Sequence, residues 1–210
     1  MDHVEVVQGT DAWLKARAGK VTASRVADVL AKGKNGGESV TRRNYMAKLA
    51  VETLTGEPVV DDYKNGHMER GNELEASARE AYEFVTGHTV EQVGLVDHAT
   101  IPRYAASPDG LVGADGLIEI KSPIPAIHIG YLLSGEVPAE YQKQMQSQMD
   151  CTGRTWNDFV SYCPVMPIDL QLFVCRLHRD DNRIAEMRVA VTSFLAEVDD
   201  MVAKLKGIAG

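Results

Sequence analysis

Two short apolar runs, Leu111-Val112 and Leu117-Ile118-Glu119-Ile120, stand on either side of Ala114-Asp115-Gly116. Asp-Gly tolerates positive φ, so this arrangement predicts a tight antiparallel hairpin. A hairpin is marginal by itself and commits the surrounding chain to supplying more strands and a helical cover. Apolar and alternating runs predict those strands at Thr89–Asp97, Tyr104–Ala106, Asp158–Tyr162 and Leu170–Leu177.

Helical spacing predicts the cover. Thr22-Ala23-Ser24 is suited to cap a short helix carrying Val26, Val29 and Leu30, and a second helix over Thr41–Leu54 is stopped by Gly56. A third, over about Gly71–Val85, aligns Leu74, Ala78, Ala81 and Tyr82, with Gly87 just past its end. Ala139–Asp150 and Asp181–Leu205 follow, the last with an apolar stripe through Ile184, Met187, Val191, Phe194, Leu195, Val198 and Met201. Lys32–Ser39 reads as a flexible basic loop. Helices flanking a compact, mostly antiparallel sheet define a layered α/β fold with a mixed sheet. The 210 residues suit one domain, 1–210, with a helical N-terminal part to about residue 56.

Composition narrows the setting. No stretch approaches the roughly 20 apolar residues that span a bilayer, and the acidic start MDHVEVVQGTDAW does not resemble a signal peptide. Cys151, Cys163 and Cys175 are too few and too far apart for a disulfide framework, a zinc site or a four-cysteine iron–sulfur cluster, so a reducing cytoplasm is expected. His3, His67, His88, His98, His128 and His178 form no compact metal pattern and read as surface or capping residues. The net charge of −8 argues at first against a polyanionic partner. Its distribution is uneven, because residues 1–48 hold nine Lys/Arg against five Asp/Glu, and the rest thirteen against twenty-five. A basic N-terminal stretch can therefore face nucleic acid while the remainder faces solvent.

The chemistry gathers around the hairpin. Glu119 and Lys121 are two apart on a strand and share a face, while Ile118 and Ile120 take the other. Asp109, in Ser107-Pro108-Asp109-Gly110, can lie opposite Glu119. Two carboxylates and the main-chain carbonyl of Ile120 offer hard oxygen ligands of the kind Mg²⁺ prefers, and Lys121 can orient or deprotonate a water or steady a pentavalent phosphate. Taken alone, Asp109 reads equally as a turn residue, and Glu119 with Lys121 as a solvated cross-strand ion pair. Glu75 lies on the preceding helix, where Glu73 and Glu80 compete with it for any role. Gln144 and Gln148 share one face of the following helix, as do Gln142 and Gln146, either as polar surface or as partners for water or phosphate.

In order, Gln8-Gly9-Thr10-Asp11-Ala12-Trp13-Leu14-Lys15-Ala16-Arg17-Ala18-Gly19, Val21-Thr22-Ala23-Ser24, Gly71-x-x-x-Glu75, Ser107-Pro108-Asp109-Gly110, Ile118-Glu119-Ile120-Lys121 and Tyr141-x-x-Gln144-x-Gln146 resemble the phage lambda-type exonuclease family, the YqaJ-like viral recombinases of the PD-(D/E)xK nuclease superfamily. The resemblance runs from about Gln8 to Cys163. It implies a three-layer restriction-endonuclease-like core of the α/β (α+β) class, with a mixed central β-sheet flanked by helices.

It also implies roles. Asp109, Glu119, the Ile120 carbonyl and Glu75 would hold Mg²⁺, or Mn²⁺ in its place, with Lys121 as the catalytic lysine and Gln144 as the active-site glutamine. Arg17, Ser24 and Ser107 would hold the 5′-phosphate of a DNA end, which suits the two-pronged guanidinium; Trp13 reads as a core aromatic. The implied activity is 5′→3′ digestion of one strand of double-stranded DNA, leaving 3′ overhangs for phage-type recombination. It would be performed by a ring-shaped trimer with a single-strand annealing protein, in the cytoplasm of a bacterial host of a phage or prophage. An endonuclease, a single-strand-specific repair nuclease or a non-catalytic DNA-end-binding module on the same fold are the alternatives.

Overall fold

The computed structural model describes residues 3–4, 6–34, 36–59 and 66–209. The chain begins with β1 (His3–Val4), α1 (Asp11–Arg17), β2 (Val21–Thr22), a 3-10 turn (Ala23–Arg25), α2 (Val26–Val29), α3 (Val40–Thr55) and α4 (Gly66–Thr86). Then come β3 (Val90–Glu91), β4 (Leu95–Asp97), β5 (Tyr104–Ala106), β6 (Gly110–Val112) and β7 (Gly116–Lys121). The remainder is α5 (Pro125–Ser134), α6 (Ala139–Thr152), β8 (Trp156–Tyr162), β9 (Leu172–His178) and α7 (Asp181–Ala209).

Local chemistry sets the ends. The Thr10 and Ser39 side chains accept from the Trp13 and Arg42 N–H groups at the starts of α1 and α3, and Gly56 ends α3 in the left-handed region at φ 71°.

The strands form two sheets. The smaller has the order β1-β4-β5-β2 and the larger β3-β6-β7-β8-β9. In the larger, β7 is central, antiparallel to β6 and parallel to β8, with Glu119 beside Phe159 and Lys121 beside Ser161. One face of this sheet meets α4, where Ala78 and Tyr82 pack with Ile118, Ile120 and Val160. The other face meets α6 through Leu117, Met145, Met149 and Phe159. Helix, mixed sheet and helix thus make three layers, the α/β class expected. A separate core gathers Val21, Val26, Tyr45, Leu49, Tyr104, Phe194 and Val198 from α2, α3, α7 and the smaller sheet. Helix α6 serves both sheets, because the Tyr104 hydroxyl on β5 donates to Ser147 Oγ at 2.6 Å. Among the described residues, no helix is long and apolar enough to cross a membrane.

Several local expectations are corrected. Thr89–Asp97 is divided, with β3 in the larger sheet and β4 in the smaller. The positive φ of the hairpin falls at Gly113 (53°). Gly116 opens β7 and is needed for space, since a Cβ there would meet the Trp156 ring at 2.0 Å. Leu170 belongs to a 3-10 turn (Ile168–Leu170) before β9. Helix α5, with Pro125 at its first turn, was not anticipated. The expected flexible loop closes on itself through a Lys32–Glu38 bridge and a Gly33 N–H to Gly37 O bond of 2.8 Å; Asn35 lies outside the described residues. His128 is no surface residue: fully buried, its ring bonds Ser161 Oγ at 2.7 Å and the Leu170 carbonyl at 2.9 Å. His98 does cap, its Nδ1 accepting from the Thr100 and Ile101 N–H groups.

Candidate active site

Alternation along β7 turns Glu119 toward α6, and the strand's central place puts it out of solvent, at 1% exposure. Both of its oxygens are taken. Oε1 accepts from Lys121 Nζ and from Gln144 Nε2 at 2.6 Å, and Oε2 accepts from Gln148 Nε2 at 2.5 Å. The solvated cross-strand ion pair is therefore excluded, since the pair lies within one strand and its acid is buried. Lys121 Nζ also sits over the Tyr141 ring, 5.3 Å from its centroid. The glutamine-rich helix is not polar surface either: Gln146 and Gln148 are buried, and Gln146 donates to the His178 carbonyl at 2.8 Å.

Asp109 joins from the neighbouring strand. The β6–β7 pairing ends at Gly110 and Ile118, and beyond it Asp109 Oδ2 accepts from the Ile120 N–H at 2.6 Å. Asp109 leads into β6 and forms no turn, and Gly110 is required because a Cβ would meet Val90 Cγ1 at 2.2 Å.

Desolvation pushes the Asp109 carboxyl up to about 8; Glu119 and Glu75 add to that, while Lys121 and the Ile120 N–H oppose it. Burial alone would lower the Lys121 ammonium, but Glu119, Asp109 and the Glu119 hydrogen bond together hold it above its ordinary value. Below about pH 8 the Asp109 carboxyl is therefore held neutral, while Lys121 pairs with Glu119.

Glu75 lies with Asp109, Trp13 and Gln8 in the lining of a cleft of about 830 Å³. Its Oε1 accepts from Arg79 at 2.6 Å. Of its competitors, Glu80 is exposed and the Glu73 side chain lies outside the described residues. Among the described residues, no three His, Cys, Asp or Glu side chains stand close enough to cage a metal ion. Mg²⁺ does not ask for a cage: it takes one or two carboxylates and keeps waters and a substrate phosphate as its other ligands. Burial first, and the nearness of Glu119 second, disfavour the Asp109 carboxylate, and a divalent cation held there would offset both.

A second group forms beside this one. Arg17 donates to Thr22 Oγ1 at 3.2 Å and to Ser24 Oγ at 3.3 Å. Its guanidinium lies 4.0 Å from the Trp13 ring centroid, and Trp13 Nε1 donates to Ser107 Oγ at 3.0 Å. Arg17, Ser24 and Ser107 are thus connected through Trp13, which is half-buried and no core aromatic. Burial lowers the Arg17 pKa, Tyr45 and Glu52 act against it, and among the described residues no carboxylate lies within ion-pair distance of its guanidinium.

Sequence reasoning never named Arg79 and gave Tyr141 no role, although Tyr141 opens one of the motifs. It paired Gln148 with Gln144 by their one-turn spacing and took Trp13 for a core aromatic, without placing either beside its partners here.

A three-layer α/β core whose central strand carries a buried acid and a lysine two residues apart defines the restriction-endonuclease-like class of fold. The chain matches the model of the YqaJ-like viral recombinase domain over residues 12–155 and belongs to that family. It is similar to an alkaline exonuclease from Laribacter hongkongensis (LHK-Exo), with 50% identity over 95% of this chain and 98% of that chain and a TM-score of 0.88. The structure of that enzyme in complex with dAMP matches equally well, at 50% identity and a TM-score of 0.88 over the same shares of the two chains, 95% and 98%. A phage-related exonuclease from Haemophilus somnus 129PT shares the fold, with a TM-score of 0.64 at 15% identity over 89% of this chain and 96% of that chain. No curated protein sequence matches.

Proposed function

We propose that this protein is a Mg²⁺-dependent 5′→3′ exonuclease that digests one strand of duplex DNA from its end and leaves a 3′ overhang for strand annealing in phage-type recombination. The coarse part is plain. By family, and by 50% identity to an alkaline exonuclease, the chain is a deoxyribonuclease.

The finer reading rests on one observation, Glu119 buried at the sheet centre and bracketed by Asp109, Lys121 and Gln144. A buried acid in a strand is costly to folding, so its presence is best explained by chemistry. Pro108-Asp109 with Glu119-Ile120-Lys121 fills the PD-(D/E)xK pattern. Asp109 and Glu119, with the Ile120 carbonyl, are suited to hold Mg²⁺, and Glu75 would join by giving up Arg79. An ion held by these groups would supply positive charge against the scissile phosphate and lower the pKa of a water.

The chain's own groups do the rest. Lys121, kept as an ammonium by its two carboxylates, stabilises charge developing on phosphorus. Gln144, half-buried, can hydrogen-bond the phosphate or the attacking water. Arg17 and Ser24, with Ser107, bind the terminal 5′-phosphate. Water adds to phosphorus and the bond to the departing 3′-oxygen breaks, which leaves a fresh 5′-phosphate on the shortened strand. Each turnover thus regenerates the group that Arg17 holds. The further expectations, a ring of three subunits, an annealing protein as partner and action in the bacterial cytoplasm, belong to the same proposal.

Linear duplexes with 5′-phosphate or 5′-hydroxyl ends, incubated with Mg²⁺ or EDTA, test it. The expected result is metal-dependent release of the 5′ label as mononucleotide, faster from phosphorylated ends. Equal cleavage of closed circles, or cleavage undiminished by EDTA, would sink it.

A further inference from the structure

Asn157 lies on β8 between Leu117 of β7 and Leu177 of β9, so a fully buried amide occupies the middle of a leucine row. Its Oδ1 has no hydrogen-bond partner among the described residues. Its Nδ2 donates to Gln148 Oε1 at 2.7 Å. With that oxygen occupied, the amide of Gln148 can point only one way, and its Nε2 meets Glu119 Oε2 at 2.5 Å. An unsatisfied buried carbonyl is a cost to folding. Nothing in this leucine layer requires it except the orientation of Gln148.

The two oxygens of Glu119 therefore differ. The partners of Oε1, Lys121 and Gln144, are both half-buried and can turn to a substrate. The partner of Oε2, Gln148, is fully buried and locked from behind. We propose that Gln148, oriented by Asn157, is a positioning residue that ties Glu119 Oε2 to the protein interior and leaves Oε1 as the oxygen that serves the reaction. The inference rests on the nuclease reading above, because it concerns the same carboxylate.

The test compares Gln148→Met, Asn157→Leu and the double variant. The readouts are kcat and KM on a 5′-phosphorylated linear duplex, Mg²⁺ binding to the DNA-free protein by titration calorimetry, and thermal unfolding. Gln148→Met should lower kcat and weaken Mg²⁺ binding by roughly ten- to a hundredfold, as loss of a group supporting a ligand does, with KM for DNA unchanged. Asn157→Leu should lower kcat in the same direction without lowering the melting temperature, since leucine completes the leucine row. A merely structural role would not separate the two. The double variant should be no worse in kcat than Gln148→Met, because Asn157 acts through Gln148.

Wild-type kcat and Mg²⁺ affinity in Gln148→Met would overturn the positioning role alone, as would independent, additive losses. If Gln148→Met does not fold, Asn157→Leu decides, and unchanged kcat there overturns the proposal. A wild-type protein without Mg²⁺-dependent cleavage would instead remove the nuclease reading, and this inference with it.

Discussion

Lys121 touches an acid, faces a second and lies over an aromatic ring, so its ammonium is placed by three neighbours. Lys121→Ala should retain binding of duplex ends and lose cleavage by roughly 10²–10⁴-fold, as measured in single-turnover digestion; undiminished turnover would remove it from the mechanism. His98 gives a prediction in pH. Burial lowers its pKa below 6.5, Arg188 and Arg179 act the same way, and Asp150 opposes them. A base whose folded pKa is depressed contributes stability that is complete above the unfolded value and is lost as pH falls through the folded one. Below about 6.5 the wild type should therefore lose stability as it is acidified. His98→Asn, which keeps an acceptor for Thr100 and Ile101, should show a shallower acid limb in urea unfolding; an identical slope would exclude His98 as its source. At this scale the sequence was legible where residue type limits chemistry. Asp109, Glu119 and Lys121 do converge, and Gln144 meets them. It was not legible where tertiary packing assigns the partner: nothing in the spacing of Trp13, Ser107 and Arg17 says that one indole links the other two.

Among the elements, the β6–β7 hairpin shows the difference between recognising a turn and knowing which glycine makes it. Composition marked the hairpin correctly, yet Gly113 takes the positive φ, and Gly116 exists to admit Trp156. That indole is held by Arg176, whose guanidinium carbon lies 3.6 Å from the ring centroid and which bonds Asp158 at 2.7 and 2.9 Å. Gly116→Ala should accordingly cost about 1–3 kcal/mol in denaturant unfolding, and shortening Trp156 to Leu in the same chain should recover part of it. Additive losses in the pair would show that the clash is not with Trp156. The split of Thr89–Asp97 between two sheets left no periodic trace, because alternation reports which face a residue takes and not which sheet its strand joins. Helix α5 was missed for another reason: Gly130 and two isoleucines, at 127 and 129, lower its local helical propensity, and its anchorage through His128 outweighs them.

For the molecule as a whole, charge separation is weaker than the sequence suggested. Of the N-terminal bases, Lys15, Lys20, Arg25 and Arg42 are paired with Glu57, Asp97, Asp28 and Glu197. Arg17 lies over the Trp13 ring that lines the cleft, and Arg17→Ala should abolish any preference for phosphorylated ends and reduce the salt slope of DNA binding by about 1. A preserved preference would place the phosphate elsewhere. Helix α6 has a broader consequence. It carries Gln144 and Gln148 for one sheet and, through Ser147 and Asp150, is fastened to Tyr104 of the other and to His98 just past that sheet's β4. A rod shared by two sheets lets neither melt alone. On slow heating, catalysis and near-ultraviolet dichroism should vanish at one temperature, and activity outlasting the dichroism would mean that the rod parts from one of its two moorings. Heat should find no weak seam here between the part that grips a DNA end and the part that cuts.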